Sequence, residues 1–371
     1  MTESAHNLPR HIVVLGADGF IGSHLVEALL GLGAPQVTGW DRERTRTGHL
    51  DGCPGFRFRH SDLRDQPEGL RRDIESADVV VHLAALCNPS LYGTRTIEVI
   101  ESNFLQVEPI ARACSESGTR LVHLSTSEVF GRTARSWIPG AAIAEDSPLE
   151  TFDEEHTPFL LGPLASTRWS YACAKQLAER LIEAYGRERG LRWTIVRPFN
   201  FIGPRMDFLP GLEGEGTPRV LACFVEALLN RRPLPLVDGG HSRRAFLHID
   251  EAVGALVRIL KRPDASQARV FHLGHPGNET DIRDLAERMR RIWAQLRADP
   301  TILDLPLRDV PAAEFYGSGY DDSDRRLPGI RLARELLDWE PAIDLDTALR
   351  RTLADYHLRF PEALRCAQPS P

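Results

Sequence analysis

A phenol and an amine stand four residues apart in the segment Tyr171-Ala172-Cys173-Ala174-Lys175, and such a pair can move a proton. The composition of residues 169–185 is strongly helical, so the spacing puts both side chains on one helix face. A phenol is a poor base at neutral pH, but a neighbouring ammonium and the positive charge of an oxidised nicotinamide would lower its pKa. Tyr171 could then accept a hydroxyl proton while a hydride leaves the same carbon. The same spacing also occurs on ordinary amphipathic helices.

A second set of candidate catalytic residues, Thr126, Ser127 and Glu128, directly follows a strand-like apolar run at 121–125. The carboxyl end of a parallel strand faces the ligand site. The Thr126 hydroxyl could bond the substrate hydroxyl that is oxidised, and Glu128 could move a proton at the neighbouring carbon. Hydroxyl and acidic residues after a strand equally suit a helix cap, and the residues alone leave both interpretations open.

The start of the chain predicts the site of the hydride acceptor. The run Gly16-Ala17-Asp18-Gly19-Phe20-Ile21-Gly22 stands between an apolar segment at 12–15 and a helical stretch at 23–30. Glycines at a strand-to-helix turn let the backbone approach a pyrophosphate, whose charge is met by free N–H groups and the helix dipole. We therefore predict that this turn binds a dinucleotide through Gly16, Gly19, Phe20, Ile21 and Gly22. The alternative is a glycine turn that serves only helix packing.

An acidic residue, Asp41, ends the next apolar segment at 36–40, about twenty residues past the turn. At this distance a carboxylate accepts hydrogen bonds from the adenosine ribose hydroxyls. It would repel a 2′-phosphate, so Asp41 favours NAD over NADP. Arg42 and Arg44 could soften that preference, and a surface aspartate is the alternative without a binding role.

Strand-like apolar runs alternate with helix-length segments along the chain. They lie at 56–61, 79–85, 121–125, 194–198 and 270–273. This alternation predicts an α/β fold with a Rossmann-type, doubly wound parallel sheet. Glycine and proline break the chain into short elements after Asn200, which suggests a smaller lobe over the cofactor. We expect an NAD-binding domain at 1–200 with returning segments near 245–275, and a discontinuous, interleaved C-terminal substrate lobe at 201–371.

The composition excludes several classes of protein. The 371 residues are 42% hydrophobic, enough for two lobes around a core. The net charge of −7 gives no basic footprint for nucleic acid, and no segment has the length and apolarity of a membrane span. The first ten residues are polar and lack the apolar part of a secretory signal, so a cytoplasmic protein is expected. The six cysteines are scattered without paired ligand spacing, so neither a disulfide nor a metal site is predicted.

Three motifs together resemble the extended short-chain dehydrogenase/reductase superfamily. They are the glycine turn, Ser125-Thr126-Ser127-Glu128-Val129-Phe130-Gly131 and Tyr171-Ala172-Cys173-Ala174-Lys175. Longer segments resemble its UDP-glucuronate decarboxylating branch, which includes plant UDP-apiose/UDP-xylose synthases and the decarboxylase domain of the bacterial lipid A aminoarabinose pathway. These segments lie at 168–176, 197–200, 203–207 and 315–324, and the similarity runs along nearly the whole chain.

The resemblance implies oxidation of the sugar at C4 by tightly held NAD, loss of the C5 carboxylate as CO2 and protonation of the resulting enolate. Oxidation at C4 makes a β-keto acid, so the new carbonyl takes up the electrons and no metal is required. Thr126 and Tyr171 would stabilise the C4 oxyanion by hydrogen bonds, while Lys175 and the cofactor would set the local electrostatic field. Tyr171 and Lys175 would both lie beside the cofactor. The product would be UDP-xylose if the hydride returns, and UDP-4-ketopentose if the ketone leaves first.

The family motifs also imply contacts to both ligands. Arg244 would contact the sugar carboxylate or assist protonation at C5, because an arginine fork suits a carboxylate; Arg243 is its nearest competitor. Along the cofactor the matching residues are Asp62, Ala84 and Asn103, although Asp62 also suits a turn and Asn103 a cap. Around the UDP-sugar the matching residues are Tyr92, Arg168, Asn200, Arg219 and Tyr320.

Two departures from the family concern the product and the aromatic core. Plant apiose synthases look to have a cysteine before the motif glutamate, where this chain has Ser127, and this difference argues against ring contraction. The aminoarabinose enzymes share the serine, yet Cys87 matches the family's other cysteine and overall similarity favours the apiose/xylose group. A UDP-apiose/UDP-xylose synthase with ring contraction therefore stays the alternative. Phe130 replaces a usual tyrosine, and we expect that change to be nearly silent.

Three other functions fit the residues less well. A sugar 4,6-dehydratase would share the oxidation but needs an acid where Ser127 stands. A 4-epimerase needs no acid or base at C5, so Glu128 and Arg244 would be superfluous. A non-catalytic dinucleotide-binding module has no need of Tyr171 together with Lys175. Relatives commonly dimerise through helices that correspond to 103–115 and 171–185, so a homodimer is expected by analogy.

Overall fold

A seven-stranded parallel sheet forms the centre of the molecule, which confirms the predicted Rossmann-type α/β fold. The computed structural model describes residues 8–133, 147–209, 218–316 and 321–361. With strands numbered in chain order, the sheet runs from one edge to the other as β12 (Arg269–Leu273), β7 (Trp193–Pro198), β5 (Arg120–Leu124), β4 (Val79–His82), β1 (His11–Leu15), β2 (Gln36–Asp41) and β3 (Phe56–His60).

The strand order places a ligand crevice at the carboxyl end of β1. Strand β2 lies on one side of β1 and β4 on the other, so the chain connections leave in opposite directions and a crevice opens between them. The central strands β1, β4 and β5 are buried along their whole length, as expected of parallel strands that are covered on both faces. The predicted strand at 79–85 ends early, at His82, because Leu83 and the residues after it leave the sheet to line the crevice.

Helices cover both faces of this sheet. On one face the helices Phe20–Gly31, Ile249–Lys261 and Arg331–Leu337 share an apolar core with alternate strand residues. On the other face the helices Pro67–Glu75, Val107–Ser117 and Trp169–Arg189 do the same. Two of these six helices, together with β12, come from the second half of the chain. Ile249–Lys261 and β12 fall in the returning segments expected near 245–275, whereas Arg331–Leu337 lies outside them. The remaining helices of the described residues are Thr96–Ile100, Val220–Leu229, Pro263–Ser266, Ile282–Arg297, Ala312–Tyr316 and Leu345–Arg359.

The second lobe has its own apolar core, in which Phe224, Trp293 and Tyr356 are buried. Its short strands are β6 (Thr151–Phe152), β8 (Phe201–Ile202), β9 (Leu234–Val237), β10 (Arg243–Ala245), β11 (Leu247–His248), β13 (Glu279–Asp281), β14 (Leu307–Val310) and β15 (Arg325–Pro328). Strands β13, β10, β15 and β6 form one sheet in that order, and β8 pairs with β11 and β9 with β14. The four-stranded sheet brings Arg244 on β10 and Arg326 on β15 side by side.

The helix expected at 103–115 is interrupted. A π-helical turn, Glu101–Leu105, precedes the α-helix Val107–Ser117. No helix within the described ranges is long and apolar enough to cross a membrane. Those ranges also contain no group of three or more His, Cys, Asp or Glu side chains that could hold a metal ion. The cysteines that the structure describes, Cys53, Cys87, Cys114, Cys173 and Cys223, carry free thiols.

Candidate active site

Three adjoining cavities form one cleft across the carboxyl ends of β1, β4 and β5. Their volumes are about 250, 350 and 400 Å³, so the two larger cavities each reach the size of a ligand site in proteins. The first cavity lies against Asp41, the second against the glycine turn and Tyr171, and the third against Arg244 in the second lobe. One long ligand or two shorter ligands that meet in the middle can therefore occupy this cleft.

The glycine turn has no room for side chains. Gly16 has a φ of +85°, and a Cβ added there would lie 2.7 Å from the backbone nitrogen of Ala84. A Cβ on Gly22 would lie 2.0 Å from the carbonyl oxygen of Gly16. Gly19 directly precedes the helix Phe20–Gly31. The predicted residues Gly16, Gly19, Phe20, Ile21 and Gly22 all line the cleft, so a helix N-terminus and bare backbone face the space where a diphosphate would bind.

Asp41 sits at the first cavity with its carboxylate already oriented. Its Oδ2 accepts from the backbone N–H of Asp18 at 2.9 Å and its Oδ1 from that of Glu43 at 3.2 Å. Burial raises the pKa of Asp41 although these hydrogen bonds oppose the rise. Arg44 forms an ion pair with Asp51, and its guanidinium lies 4.5 Å from the centre of the Phe58 ring. Arg44 is therefore engaged away from Asp41, whereas Arg42 lines the cavity.

The other residues expected along the cofactor occupy different depths. Ala84 and Asp62 line the first cavity. A hydrogen bond from Arg64, at 2.9 Å, lowers the pKa of Asp62. Asn103 is buried and donates from Nδ2 to the carbonyl oxygens of Leu86 and Val99 at 3.0 and 2.8 Å. Asn103 thus lies behind the wall of the cleft and holds Leu86, which lines it.

Tyr171 and Lys175 share one face of the helix Trp169–Arg189, and both line the middle cavity. The Tyr171 ring stacks on that of Tyr92 with centroids 4.9 Å apart. Lys175 donates from Nζ to the carbonyl oxygen of Leu124 at 2.9 Å. The helix therefore brings phenol and amine together at the end of β5, as the spacing predicts.

Burial shifts the pKa values of both Tyr171 and Lys175. Burial raises the pKa of Tyr171 well above its usual value, and a hydrogen bond from Thr126 only partly opposes this. Burial also lowers the pKa of Lys175 to about 8. The protein groups alone therefore do not lower the phenol pKa, because desolvation of the ring outweighs the nearby charges. The expected lowering also depends on the charge of an oxidised nicotinamide, so it stays a prediction.

Thr126 and Glu128 satisfy both interpretations that the sequence leaves open. The Thr126 Oγ1 accepts from the backbone N–H of Glu128 at 3.1 Å, so Thr126 caps the short helical turn Ser127–Phe130. The side chains of Thr126, Ser127 and Glu128 nevertheless line the middle cavity. The Glu128 Oε1 accepts from Arg168 and Arg326 at 3.2 Å each. Its Oε2 is buried and makes no hydrogen bond, and such an oxygen can exchange a proton with a ligand.

Three arginines and two carboxylates form one network at the third cavity. Asp322 accepts from Arg244 Nη2 at 2.9 Å, pairs with Arg168 Nη2 at 3.4 Å, and also binds Arg326. Burial alone would raise the pKa of Asp322, but the three guanidinium groups hold it well below its usual range. The three guanidinium groups line the third cavity, and guanidinium groups suit the binding of a carboxylate.

Arg326 and Asp322 are the site residues that the sequence analysis missed. Both contact Glu128 or its arginine partners, and both line the third cavity. Asp322 lies within the motif 315–324, without an assigned role there. The signal that could have found them is the dense run of charge Asp321-Asp322-Ser323-Asp324-Arg325-Arg326, since buried charges occur mostly where they are paired.

Two further residues expected around the UDP-sugar, Arg219 and Asn200, make side-chain hydrogen bonds beside the third cavity. Arg219, at the start of the helix Val220–Leu229, donates to both carboxylate oxygens of Asp207 at 3.0 and 3.1 Å. Asn200 donates from Nδ2 to the carbonyl oxygen of Ala245 at 3.0 Å. Tyr92 lines the middle cavity, and Arg168, Asn200, Arg219 and Arg244 line the third. Tyr320 lies outside the described residues.

Comparison with known proteins gives three results. The sequence model of the NAD dependent epimerase/dehydratase family matches residues 12–274. The chain is 43% identical to a UDP-D-apiose/UDP-D-xylose synthase of Oryza sativa subsp. japonica over 96% of this chain and 92% of that protein. It is 42% identical to UDP-D-apiose/UDP-D-xylose synthase 1 of Arabidopsis thaliana over 98% of this chain and 95% of that protein.

Solved structures share the fold along nearly the whole chain. The PbgP3 protein from Burkholderia pseudomallei superposes with a TM-score of 0.80 at 31% identity, covering 95% of this chain and 98% of that one. A UDP-glucuronic acid 4-epimerase from Bacillus cereus, solved with UDP-glucuronic acid and NAD, gives a TM-score of 0.73 at 22% identity, covering 94% of this chain and 100% of that one. At that identity the second likeness concerns the fold alone.

Proposed function

The chain belongs to the NAD-dependent epimerase/dehydratase family, and from that premise we propose that it is an NAD-dependent UDP-glucuronate decarboxylase. The observation that carries the proposal is the unpartnered Glu128 Oε2, which lies in one cleft with Tyr171 and with the arginine network. A 4-epimerase has no need of a proton donor beside C5. The plant relatives named as synthases of UDP-apiose and UDP-xylose match almost the full length of this chain.

The cofactor fits the first two cavities. The cradle at Gly16 and Gly22 leaves no space for a Cβ, and Asp41 presents a carboxylate where the adenosine ribose would lie. When bound, NAD takes up the hydrogen at C4 of the sugar with its electron pair and can later return it. We assign Gly16, Gly19, Phe20, Ile21, Gly22, Asp41, Asp62 and Ala84 to cofactor binding, with Asn103 holding the wall behind them.

The first chemical task of the chain is to move the proton of the C4 hydroxyl. Tyr171 accepts this proton, and Thr126 donates a hydrogen bond to the same oxygen. Lys175 lies on the adjacent turn of the helix and supplies positive charge near the phenol. The raised pKa of Tyr171 means that this step depends on charges that assemble around the phenol in the complete complex.

The second task is to control the carboxylate. Once C4 carries a carbonyl, the C5 carboxylate leaves as CO2 and its electron pair passes to the C4 oxygen. Thr126 and Tyr171 stabilise that oxyanion by hydrogen bonds. We assign to the guanidinium groups of Arg168, Arg244 and Arg326 the role of binding the carboxylate before it leaves. Glu128 takes up a proton from solvent and delivers it from Oε2 to C5, which returns Glu128 to its carboxylate form. The product is UDP-4-ketopentose, or UDP-xylose once hydrogen returns to C4.

The position of the Arg244 side chain is fixed by its hydrogen-bond partners. Its guanidinium is bound by Asp322 and by the carbonyl oxygen of Arg243, at 2.9 and 2.8 Å. We propose that it supports the charge of the site, and that Arg168 and Arg326 are closer to the reacting carboxylate because they also hold Glu128. Around the UDP-sugar we assign Asn200 and Arg219, with Tyr92 near its acidic end, where the Tyr92 ring stacks on that of Tyr171.

A UDP-apiose/UDP-xylose synthase with ring contraction is the second candidate, and the names of the full-length relatives favour it. Ring contraction requires extra acid and base groups for a retro-aldol step. Cys87 lines both the middle and the third cavity, and burial raises the pKa of its thiol. Ser127 also lines the middle cavity, but its hydroxyl is a much weaker acid than a thiol.

The proposed function has a direct test. Purified protein incubated with UDP-glucuronate and NAD, without added metal, is expected to release CO2, and NMR of the product mixture separates xylose, ketopentose and apiose. UDP-glucuronate that stays intact through a long incubation overturns the assignment. Apiose among the products establishes the second candidate.

We also propose that the protein is a homodimer. The aliphatic side chains of Ile97, Leu105 and Leu177 are 75%, 55% and 48% exposed, on packed helical segments at 96–105 and 169–189. Exposed aliphatic groups on adjoining helices are typical of an interface. A cytoplasmic location is supported by the free thiols of the described cysteines, which suit a reducing compartment.

A further inference from the structure

A cluster of polar contacts around Arg205 connects separate parts of the chain. Arg205 donates two parallel hydrogen bonds, from Nη1 and Nη2, to the carboxylate of Glu27 at 2.6 and 2.8 Å. Its backbone N–H donates to Asp355 Oδ2 at 3.0 Å, and its carbonyl oxygen accepts from Arg46 Nε at 3.2 Å. We call these contacts, together with those of His24, the Arg205 joint.

His24 completes the Arg205 joint from the same helix as Glu27. Its Nε2 lies 2.9 Å from the carbonyl oxygen of Pro204, so this nitrogen carries the proton and donates. Arg205 Nη2 lies 3.2 Å from Nδ1 and 3.4 Å from Nε2, so the guanidinium packs against the face of the ring. Burial lowers the pKa of His24, which favours the neutral ring that this arrangement requires.

The backbone at Arg205 is strained. Its φ of +62° lies in the left-handed region, which is costly for a residue with a Cβ. Such a conformation persists where surrounding contacts over-determine it, and it is concentrated at functional sites. The side chains of Arg205 and Glu27 are only 23% and 30% exposed. A bidentate pair with this burial is stronger than a loose surface ion pair.

The partners of Arg205 lead to the two ligand sites. Glu27 and His24 belong to the helix Phe20–Gly31, whose N-terminus faces the dinucleotide site. On the other side, the next residues along the chain, Met206 and Asp207, line the middle cavity. Asp207 also holds Arg219 by two hydrogen bonds. A displacement of residue 205 would therefore reach both sites.

We propose that Arg205 is a positioning residue that couples dinucleotide binding to UDP-sugar binding. The proposal rests on the proposed function, from which it takes the UDP-sugar as the second ligand. A dinucleotide bound at the glycine turn restricts the helix that carries Glu27 and His24. Through Arg205 this helix holds the segment 203–207 in place. That segment in turn positions Arg219 and Met206 at the UDP-sugar. Among the described residues no contact of the joint reaches Tyr171 or Glu128, so the coupling acts on binding rather than on the chemical step.

The test measures binding in the holoenzyme with Arg205→Met, which removes the charge and keeps the length, and with Arg205→Lys, which keeps the charge without the fork. In Arg205→Met we expect the Kd for UDP by calorimetry and the KM for UDP-glucuronate to rise about tenfold, as for a typical coupling between sites. Bound NAD should also be lost faster on dialysis, while kcat at saturating NAD and substrate changes far less. Arg205→Lys should fall between wild type and Arg205→Met.

The matched control is Arg288→Met, because Arg288 joins Asp284 and Asp346 within the second lobe and touches neither ligand site. It should leave UDP affinity and NAD retention unchanged. Glu27→Gln weakens the same pair of hydrogen bonds by removing the charge of the acceptor, and it replaces Arg205→Met in the test if that variant does not fold. The proposal is overturned if Glu27→Gln or a folded Arg205→Met binds UDP and retains NAD as the wild type does. These two measurements need no turnover, so a wild type that is inactive on UDP-glucuronate would remove the proposed function and leave the coupling measurable.

Discussion

Glu128 and Asp322 are held by the same two arginines, although 194 residues separate them in the chain. Arg168 and Arg326 each contact both carboxylates. The two acids nevertheless differ, because both oxygens of Asp322 are bound by guanidinium groups whereas Glu128 Oε2 has no hydrogen-bond partner. Asp322 is therefore suited to hold charge in place, and Glu128 to exchange a proton.

Replacement of Glu128 by glutamine should separate oxidation from product formation. Glu128→Gln keeps the shape of the side chain and removes its acidic proton, so UDP-pentose formation should fall about 10²–10⁴-fold, the usual range for loss of a general acid. Oxidation at C4 uses Tyr171, so reduced nicotinamide should still appear in a single turnover. Glu154→Gln is the matched control, because Glu154 is also a buried carboxyl with unpartnered oxygens but lies away from the cleft. Wild-type product formation in Glu128→Gln would remove Glu128 from the mechanism.

Replacement of Asp322 by asparagine should destabilise the fold as well as the site. The neutral amide removes the negative charge that Arg168, Arg244 and Arg326 share. Removal of one member of a buried ion-pair network costs about 3–5 kcal/mol of unfolding free energy, which denaturant titration measures. Asp309→Asn breaks the exposed pair with Arg283 and should cost less than about 1 kcal/mol. Equal losses of unfolding free energy in Asp322→Asn and Asp309→Asn would show that burial of the network contributes nothing to stability.

Replacement of Tyr171 by phenylalanine should abolish oxidation at C4. The variant keeps the ring and its stacking on Tyr92 and loses only the proposed base, so the fold and UDP binding should be retained. Formation of reduced nicotinamide from UDP-glucuronate is the measurement, and a fall of about 10²–10⁴-fold is expected. Tyr185→Phe alters a phenol on the same helix that bonds Glu108 outside the cleft and should leave the rate unchanged. A fully active Tyr171→Phe would exclude the phenol as the base.

The local part of this site could be predicted from the sequence, and the long-range part could not. The glycine turn, the position of Asp41 and the shared helix face of Tyr171 and Lys175 each follow from spacing within one or two elements. The contact of Glu128 with Arg326 depends on the packing of β15 beside β10, and no local pattern records it. Burial of the Tyr171 ring, which raises the pKa of the phenol, is likewise a property of the packed fold that the spacing does not record.

A charge on the exposed aliphatic surface should dissociate the proposed dimer. Leu177 is 48% exposed on the helix Trp169–Arg189, and Leu177→Glu would place a carboxylate in the apolar interface. Light scattering after gel filtration should show a dimer for the wild type and a monomer for this variant. Leu164→Glu is the control, since Leu164 is fully exposed elsewhere and should leave the dimer intact. A wild-type monomer, or a Leu177→Glu dimer, would contradict this assignment.

Burial of the Lys175 ammonium should lower the free energy of unfolding, although we propose that activity requires this residue. Burial lowers its pKa from 10.5 to about 8, so the unfolded chain binds the proton more tightly than the folded protein does. The resulting destabilisation is fully present below pH 8, is relieved as pH rises from about 8 to 10.5, and is absent above that range. The shift corresponds to roughly 3 kcal/mol, and loss of the hydrogen bond to Leu124 would offset about 1 kcal/mol.

Lys175→Met should therefore be inactive and yet about 2 kcal/mol more stable than the wild type near pH 7, given the two opposing contributions. Denaturant unfolding of the nucleotide-free proteins at a series of pH values is the measurement. The difference between the two proteins should shrink as pH rises through the window in which Lys175 loses its proton, because only the wild type gains stability there. A variant that is less stable at pH 7, or a difference that does not change with pH, would show that the buried ammonium is compensated by its surroundings. We expect this loss of stability because the Lys175 ammonium is buried. The same burial lets the ammonium act on the charge of the phenol, since little solvent screens their interaction.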